Sequence, residues 1–116
     1  MTKIEEAFLT KKLIATGIRP KYKAFGYVLC ALENHEFDEM IAMSDRDIIR
    51  TLAYESHTDP RTVKTNMRTL ISSCMSKPDV CSDIIRNLPV MEGDEKPTVK
   101  EFLVAVSCSM YDEHQL

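Results

Sequence analysis

Apolar residues in this chain recur at steps of three and four, and the alternation of a half-buried strand is nowhere sustained. Residues 4–16 place Ile4, Ala7, Phe8, Leu13 and Ile14 in helical rhythm, with Gly17 as the stop. After Pro20 a second helix is predicted over Tyr22 to Asn34, with Phe25, Val28, Leu29 and Leu32 as its apolar positions and Gly26 allowing a neighbour to pack closely. A short apolar turn follows at Phe37 to Met43.

The next two signatures abut. Ser44 and Asp47 have capping spacing ahead of Ile48, Ile49 and Leu52, and the polar run Glu55-Ser56-His57-Thr58 stops that helix. Asp59 then caps another helix, Pro60 supplies the φ suited to a first helical position, and Val63, Met67, Leu70, Ile71 and Cys74 give one apolar face. Two helices separated by three or four residues read as a helix-turn-helix. A further helix is predicted from Pro78 to Leu88 through Val80, Ile84, Ile85 and Leu88, then an exposed loop from Pro89 to Pro97. Thr98 and Glu101 have capping-box spacing before a terminal helix that turns Phe102, Leu103, Ala105, Val106 and Met110 inward. Seven helical pieces result, so the expected class is all-α: a compact single-domain helical bundle containing a helix-turn-helix.

At 116 residues and 44% hydrophobic, residues 1–116 suit one domain with a modest core. No stretch approaches the ~18 apolar residues of a membrane span, and Glu5 and Glu6 close behind Met1 do not suit a signal peptide. A cytoplasmic protein with no membrane partner is expected. The net charge of −3 argues against a general nucleic-acid binder, but its distribution changes the picture. Residues 1–45 hold six Lys/Arg against seven Asp/Glu, residues 46–77 hold six against three, and residues 78–116 hold three against eight. The positive surplus falls on the helix pair, as it would if one face met a polyanion.

Opposite the apolar face of residues 60–75 lie Arg61, Lys64, Thr65, Arg68, Thr69 and Ser72. Cations and short hydrogen-bonding side chains at three- and four-residue steps can address one groove of double-stranded DNA and its phosphates. The candidate DNA-binding residues are therefore Arg61, Lys64, Thr65, Arg68 and Thr69, on a helix inserted into the major groove. The plainer reading is a solvated basic stripe with ordinary surface threonines. Chemistry of other kinds has little to stand on. Cys30, Cys74, Cys81 and Cys108 are widely spaced and read as reduced, buried thiols, and Cys74, Cys81 and His57 lack zinc-site spacing. Cys30 or Cys108 with His35 could form a nucleophile and base, but no orienting third group or phosphate loop accompanies them. No catalysis, metal, cofactor or small-molecule substrate is expected. Met40, Met43, Met67, Met75 and Met91 read as core filler or adaptable contact surface.

From about Gly17 to His114 the chain resembles the C-terminal DNA-binding effector domain of the stage-zero sporulation response regulator of endospore-forming bacteria. The resemblance lies in Ile14-Ala15-Thr16-Gly17-Ile18 leading into the Tyr22 to Leu32 helix, in Thr58, Val63, Arg68 and Ile71, in Lys96-Pro97-Thr98 followed by Glu101-Phe102, and in Glu113-His114. It implies an all-helical transcriptional regulator, here standing alone without a receiver domain. Arg68 matches a basic position of the family's recognition helix. Lys64 and Thr65 stand where the family has a Glu-Arg pair, so sequence specificity does not carry over, and the family's basic loop before Lys96 is acidic here. Two readings stay open: a sequence-specific DNA-binding regulator, or an interaction module of the same fold that binds a related regulator. Because one recognition helix covers few base pairs, a homodimer or paired copies on DNA are expected. Val104, Ser107, Met110 and Tyr111 of the terminal helix are the candidate self-association surface, unless they merely cover the core.

Overall fold

The computed structural model describes residues 3–89, 93 and 95–114, with side chains described as far as 110. Seven helices, and no strand, occur among the described residues: α1 (Lys3–Ala15), α2 (Lys23–Asn34), α3 (Phe37–Ala42), α4 (Asp45–Glu55), α5 (Pro60–Ser76), α6 (Ser82–Arg86) and α7 (Val99–His114). The class is all-α. The radius of gyration is 13.3 Å, about that of a folded globule of this length. Glu92 and Asp94 of the 89–97 loop, and Met91, expected as core filler or contact surface, lie outside the described residues, as do the side chains of Tyr111, Glu113 and His114.

One hydrophobic core runs through all seven helices. Phe102, Leu103, Ala105 and Val106 of α7 are fully buried against Val63, Met67 and Leu70 of α5, Val28 of α2, Leu52 of α4 and Ile84 of α6. Helix α7 touches α2, α3, α4, α5 and α6 and so forms the central post.

The helix ends follow from local chemistry. The Ser44 hydroxyl accepts from the Asp47 N–H at 3.1 Å, and the Asp59 carboxylate accepts from the Arg61 N–H at 2.8 Å, with Pro60 at the first position of α5. Thr98 and Glu101 form a reciprocal capping box: the Glu101 N–H donates to the Thr98 hydroxyl at 3.1 Å and the Thr98 N–H to the Glu101 carboxylate at 2.9 Å. Helix α4 ends in a Schellman motif, with the Thr58 N–H donating to the Ala53 carbonyl and the His57 N–H to the Tyr54 carbonyl. His57, at φ 53°, occupies the left-handed position usually given to glycine.

Three expectations need correction. The helix predicted from Pro78 to Leu88 shortens to α6, because residues 77–81 form a turn in which the Val80 and Cys81 N–H groups both donate to the Lys77 carbonyl. That turn seats on Gly17, where φ is +102° and a Cβ would stand 2.4 Å from the Val80 carbonyl oxygen, so Gly17 serves a close approach as well as a helix stop. Gly26, read as a packing glycine, faces open space, with nothing within 4 Å of its Cβ direction. Nor are the thiols uniformly buried: Cys74 and Cys81 are, whereas Cys30 and Cys108 are half-buried, and none of the four forms a disulfide.

Candidate nucleic-acid interface

The candidate face is created by where α5 is buried. Val63, Met67, Leu70, Ile71 and Cys74 are at most 3% exposed. A helix repeating every 3.6 residues that buries this set must present Arg61, Lys64, Thr65, Arg68 and Thr69 on its other side, and all five are exposed. Tyr22, the residue that precedes α2, and Tyr27 within it fix the helix from behind. The Tyr22 hydroxyl shares a 2.9 Å hydrogen bond with the Ser73 hydroxyl, and Asn66 Nδ2 donates to the Tyr27 hydroxyl at 3.3 Å.

Neighbouring elements add cations. Between α4 and α5 a cleft is lined by Arg46, Arg50, Arg61 and Lys64. Between α5 and the segment leading into α7 a second cleft is lined by Lys64, Arg68 and Lys96. Lys64 borders both. Lys96 is held against α5, its ammonium donating to the Ser72 hydroxyl at 2.8 Å. Six cations from α4, α5 and the α7 approach thus share one side of the molecule. Asp45 lines both clefts too, but one of its carboxylate oxygens accepts the Lys100 N–H at 2.9 Å, which ties it to the first turn of α7. The Thr69 hydroxyl donates to the Thr65 carbonyl at 3.1 Å, leaving its oxygen as an acceptor and its methyl outward.

The sequence reading singled out the α5 residues but not Arg46, Arg50 or Lys96. Arg46 and Arg50 carried a signal, lying four residues apart within the basic segment. Lys96 carried none, since its place beside α5 depends on the path of the chain across residues 89–97.

The thiol and imidazole weighed as a nucleophile and base meet on a common carboxylate instead of on one another. Cys30 Sγ donates to Glu55 Oε2 at 3.5 Å, Asn34 Nδ2 donates to the same oxygen at 2.7 Å, and His35 Nε2 bonds Glu55 Oε1 at 2.5 Å. Burial, reinforced by the Glu55 charge, pushes the Cys30 thiol up and keeps it protonated. Burial alone would lower the His35 pKa, but hydrogen bonds to the Glu55 and Glu39 carboxylates raise it. Burial opposes ionisation of Glu55, yet the His35 bond brings its pKa below the ordinary value. Burial first, then the neighbouring Cys81, pushes the Cys74 thiol far up. Among the described residues no three His, Cys, Asp or Glu side chains converge as a metal site, and no helix is long and apolar enough to cross a membrane.

No family model, curated protein or solved structure matches this chain.

Proposed function

We propose that this chain is a sequence-specific DNA-binding transcriptional regulator that lays α5 in the major groove. The observation carrying the reading is the convergence of six cations, three on α5 and three on the segments flanking it, in a protein of net charge −3. In this reading α4, the turn 56–59 and α5 act as a helix-turn-helix. Helix α5 has 17 residues and so spans about 25 Å, ample for its N-terminal half to enter a groove ~12 Å wide. Lys64, Thr65 and Arg68 reach base edges, while Arg46 and Arg50 on one side and Lys96 on the other meet the flanking phosphates. The residue pattern shared with the sporulation-regulator effector domain supports the same assignment, and it makes the protein a cytoplasmic, non-catalytic bacterial regulator without a cofactor.

One observation favours a second reading. Asp45 lines both clefts beside Lys64, and the residues outside 46–77 are acidic in sum. An interaction module that binds a related regulator would use such a mixed face without reading bases. Selection of genomic duplex fragments by the purified protein separates the two. Recovery of a shared sequence motif, bound more weakly by the Lys64→Ala variant, is expected; recovery of no motif above the input library favours the interaction module.

A further inference from the structure

The cleft between α4 and α5 gathers more positive charge than a duplex laid across it can neutralise. Arg46 and Arg50 lie one turn apart on α4, and Arg61 and Lys64 one turn apart at the start of α5, so that four cations, with Ile49 and Pro60, line a space of about 390 Å³. All four are exposed, and none is paired with a carboxylate among the described residues. Asp45, the acid on the rim, already accepts the Lys100 N–H at 2.9 Å. The four cations less this one carboxylate leave the lining with a formal surplus of three positive charges. The cleft is complete within one copy of the chain. The surface expected to pair two copies, on α7, is largely closed: Ser107 and Met110 are 4% and 6% exposed and Val104 is half-buried, while the Tyr111 side chain lies outside those described.

Charge density says what kind of anion suits the space. Along one strand of B-DNA a single charge falls every ~3.4 Å of axis, and side chains one helical turn apart stand ~5–6 Å apart. A duplex across the cleft therefore brings it only about one or two phosphodiester charges. A terminal phosphate carries about −1.5 to −2 at pH 7 by itself, and two phosphates linked as a pyrophosphate carry more. An arginine fork takes two phosphate oxygens at once, and guanidiniums reaching in from two helices can grip the two phosphates of a pyrophosphate from opposite sides. The volume is that of a small-ligand site, with Ile49 and Pro60 as apolar surface for part of an attached group.

We propose that the α4–α5 cleft binds a free anion bearing a pyrophosphate group, of the class of nucleoside or sugar diphosphates. Such a ligand occupies Arg61 and Lys64 and so competes with the duplex, a consequence that rests on the reading of α5; the binding itself does not. Calorimetric titration of the full chain, without DNA, with sodium pyrophosphate, sodium phosphate and sodium sulfate at one ionic strength tests it. Pyrophosphate should saturate at one per chain and bind more tightly than phosphate or sulfate. Arg50→Ala and Arg61→Ala, one on each helix, should each weaken it by about tenfold or more and leave the melting temperature of the unliganded protein in place. Arg86→Ala, which removes a cation paired with Asp83 on α6, should leave the affinity unchanged. Equal responses to pyrophosphate and sulfate, or pyrophosphate binding undiminished in both cleft variants, overturn the proposal. Binding of a duplex without terminal phosphates, together with no saturable binding of pyrophosphate, would assign the cleft to the phosphodiester backbone and overturn it as well.

Discussion

Lys64 is the residue on which the proposed interface turns, because it borders both clefts while its neighbour Val63 is completely buried. Lys64→Ala and Arg68→Ala should therefore weaken DNA binding and leave the melting curve in place, since each removes an exposed side chain from an unaltered apolar face. Loss of a phosphate contact should reduce the salt slope by about 1, and loss of a base contact should cost roughly 1–3 kcal/mol and relax specificity at one position. Phe102 shows the opposite behaviour. It is 0% exposed at the centre of the core, so Phe102→Ala should destabilise the fold by about 3–5 kcal/mol, read as a lowered midpoint in urea. A midpoint unchanged from the parent would mean that α7 is not the central post. The buried faces of α5 and α7 were legible from periodicity, because a residue that must avoid water announces itself by type. Lys96 was not legible, since a lysine looks the same in sequence whether it points to bulk solvent or to the Ser72 hydroxyl.

At the scale of elements, ends were more legible than lengths. Ser44, Asp59 and Thr98 cap their helices as their types and spacings suggest, because a side chain that satisfies a backbone N–H within three residues acts locally. The start of α6 depends on the seating of residues 77–80 against Gly17, which lies sixty residues back and leaves no local trace. The α4–α5 turn adds a residue that breaks the usual rule, His57 at φ 53° in a Schellman position. A left-handed conformation costs an L-residue about 1–2 kcal/mol, part of which glycine returns as lost chain entropy. His57→Gly should thus stabilise the domain by up to about 1 kcal/mol, and a lower melting temperature in that variant would show that the imidazole contributes more than its backbone costs.

Just before that turn, His35 clasps the last residue of α4 to the ends of α2 and α3 through Glu55 and Glu39. The His35 pKa is raised above its ordinary 6.5, so its contribution is complete below that pH and is lost as pH rises through the raised value. The Glu55 pKa is lowered from 4.5, so its contribution is complete above that pH and is lost as pH falls through the lowered value. The clasp is at full strength between about pH 4.5 and 6.5. Urea midpoints should therefore fall between pH 6 and 8 in the parent, and His35→Gln should flatten that part of the profile. An identical slope in both proteins would remove the clasp from the account.

For the whole molecule, the segregation of charge matters more than its sum. An acidic protein with six cations gathered on one side repels polyanions in most orientations and accepts them in one, which favours a defined docking pose over non-specific coating. The class of the fold and the sidedness of its charge were both readable from the chain, because burial and charge are additive along a helix. The joining of α4, α5 and the 96–99 approach into one surface was not, because it is a property of how three elements pack. The most direct test of that surface is the salt dependence of binding to a selected duplex, measured for the parent and for the Lys64→Ala/Arg68→Ala variant. If the cations meet phosphates and bases as proposed, affinity should fall steeply with salt, with a log-log slope of about −0.9 for each phosphate neutralised, and the double variant should bind more weakly with a shallower slope. An affinity that is flat in salt, or the same affinity and slope in the double variant, would contradict the placing of α5 on DNA.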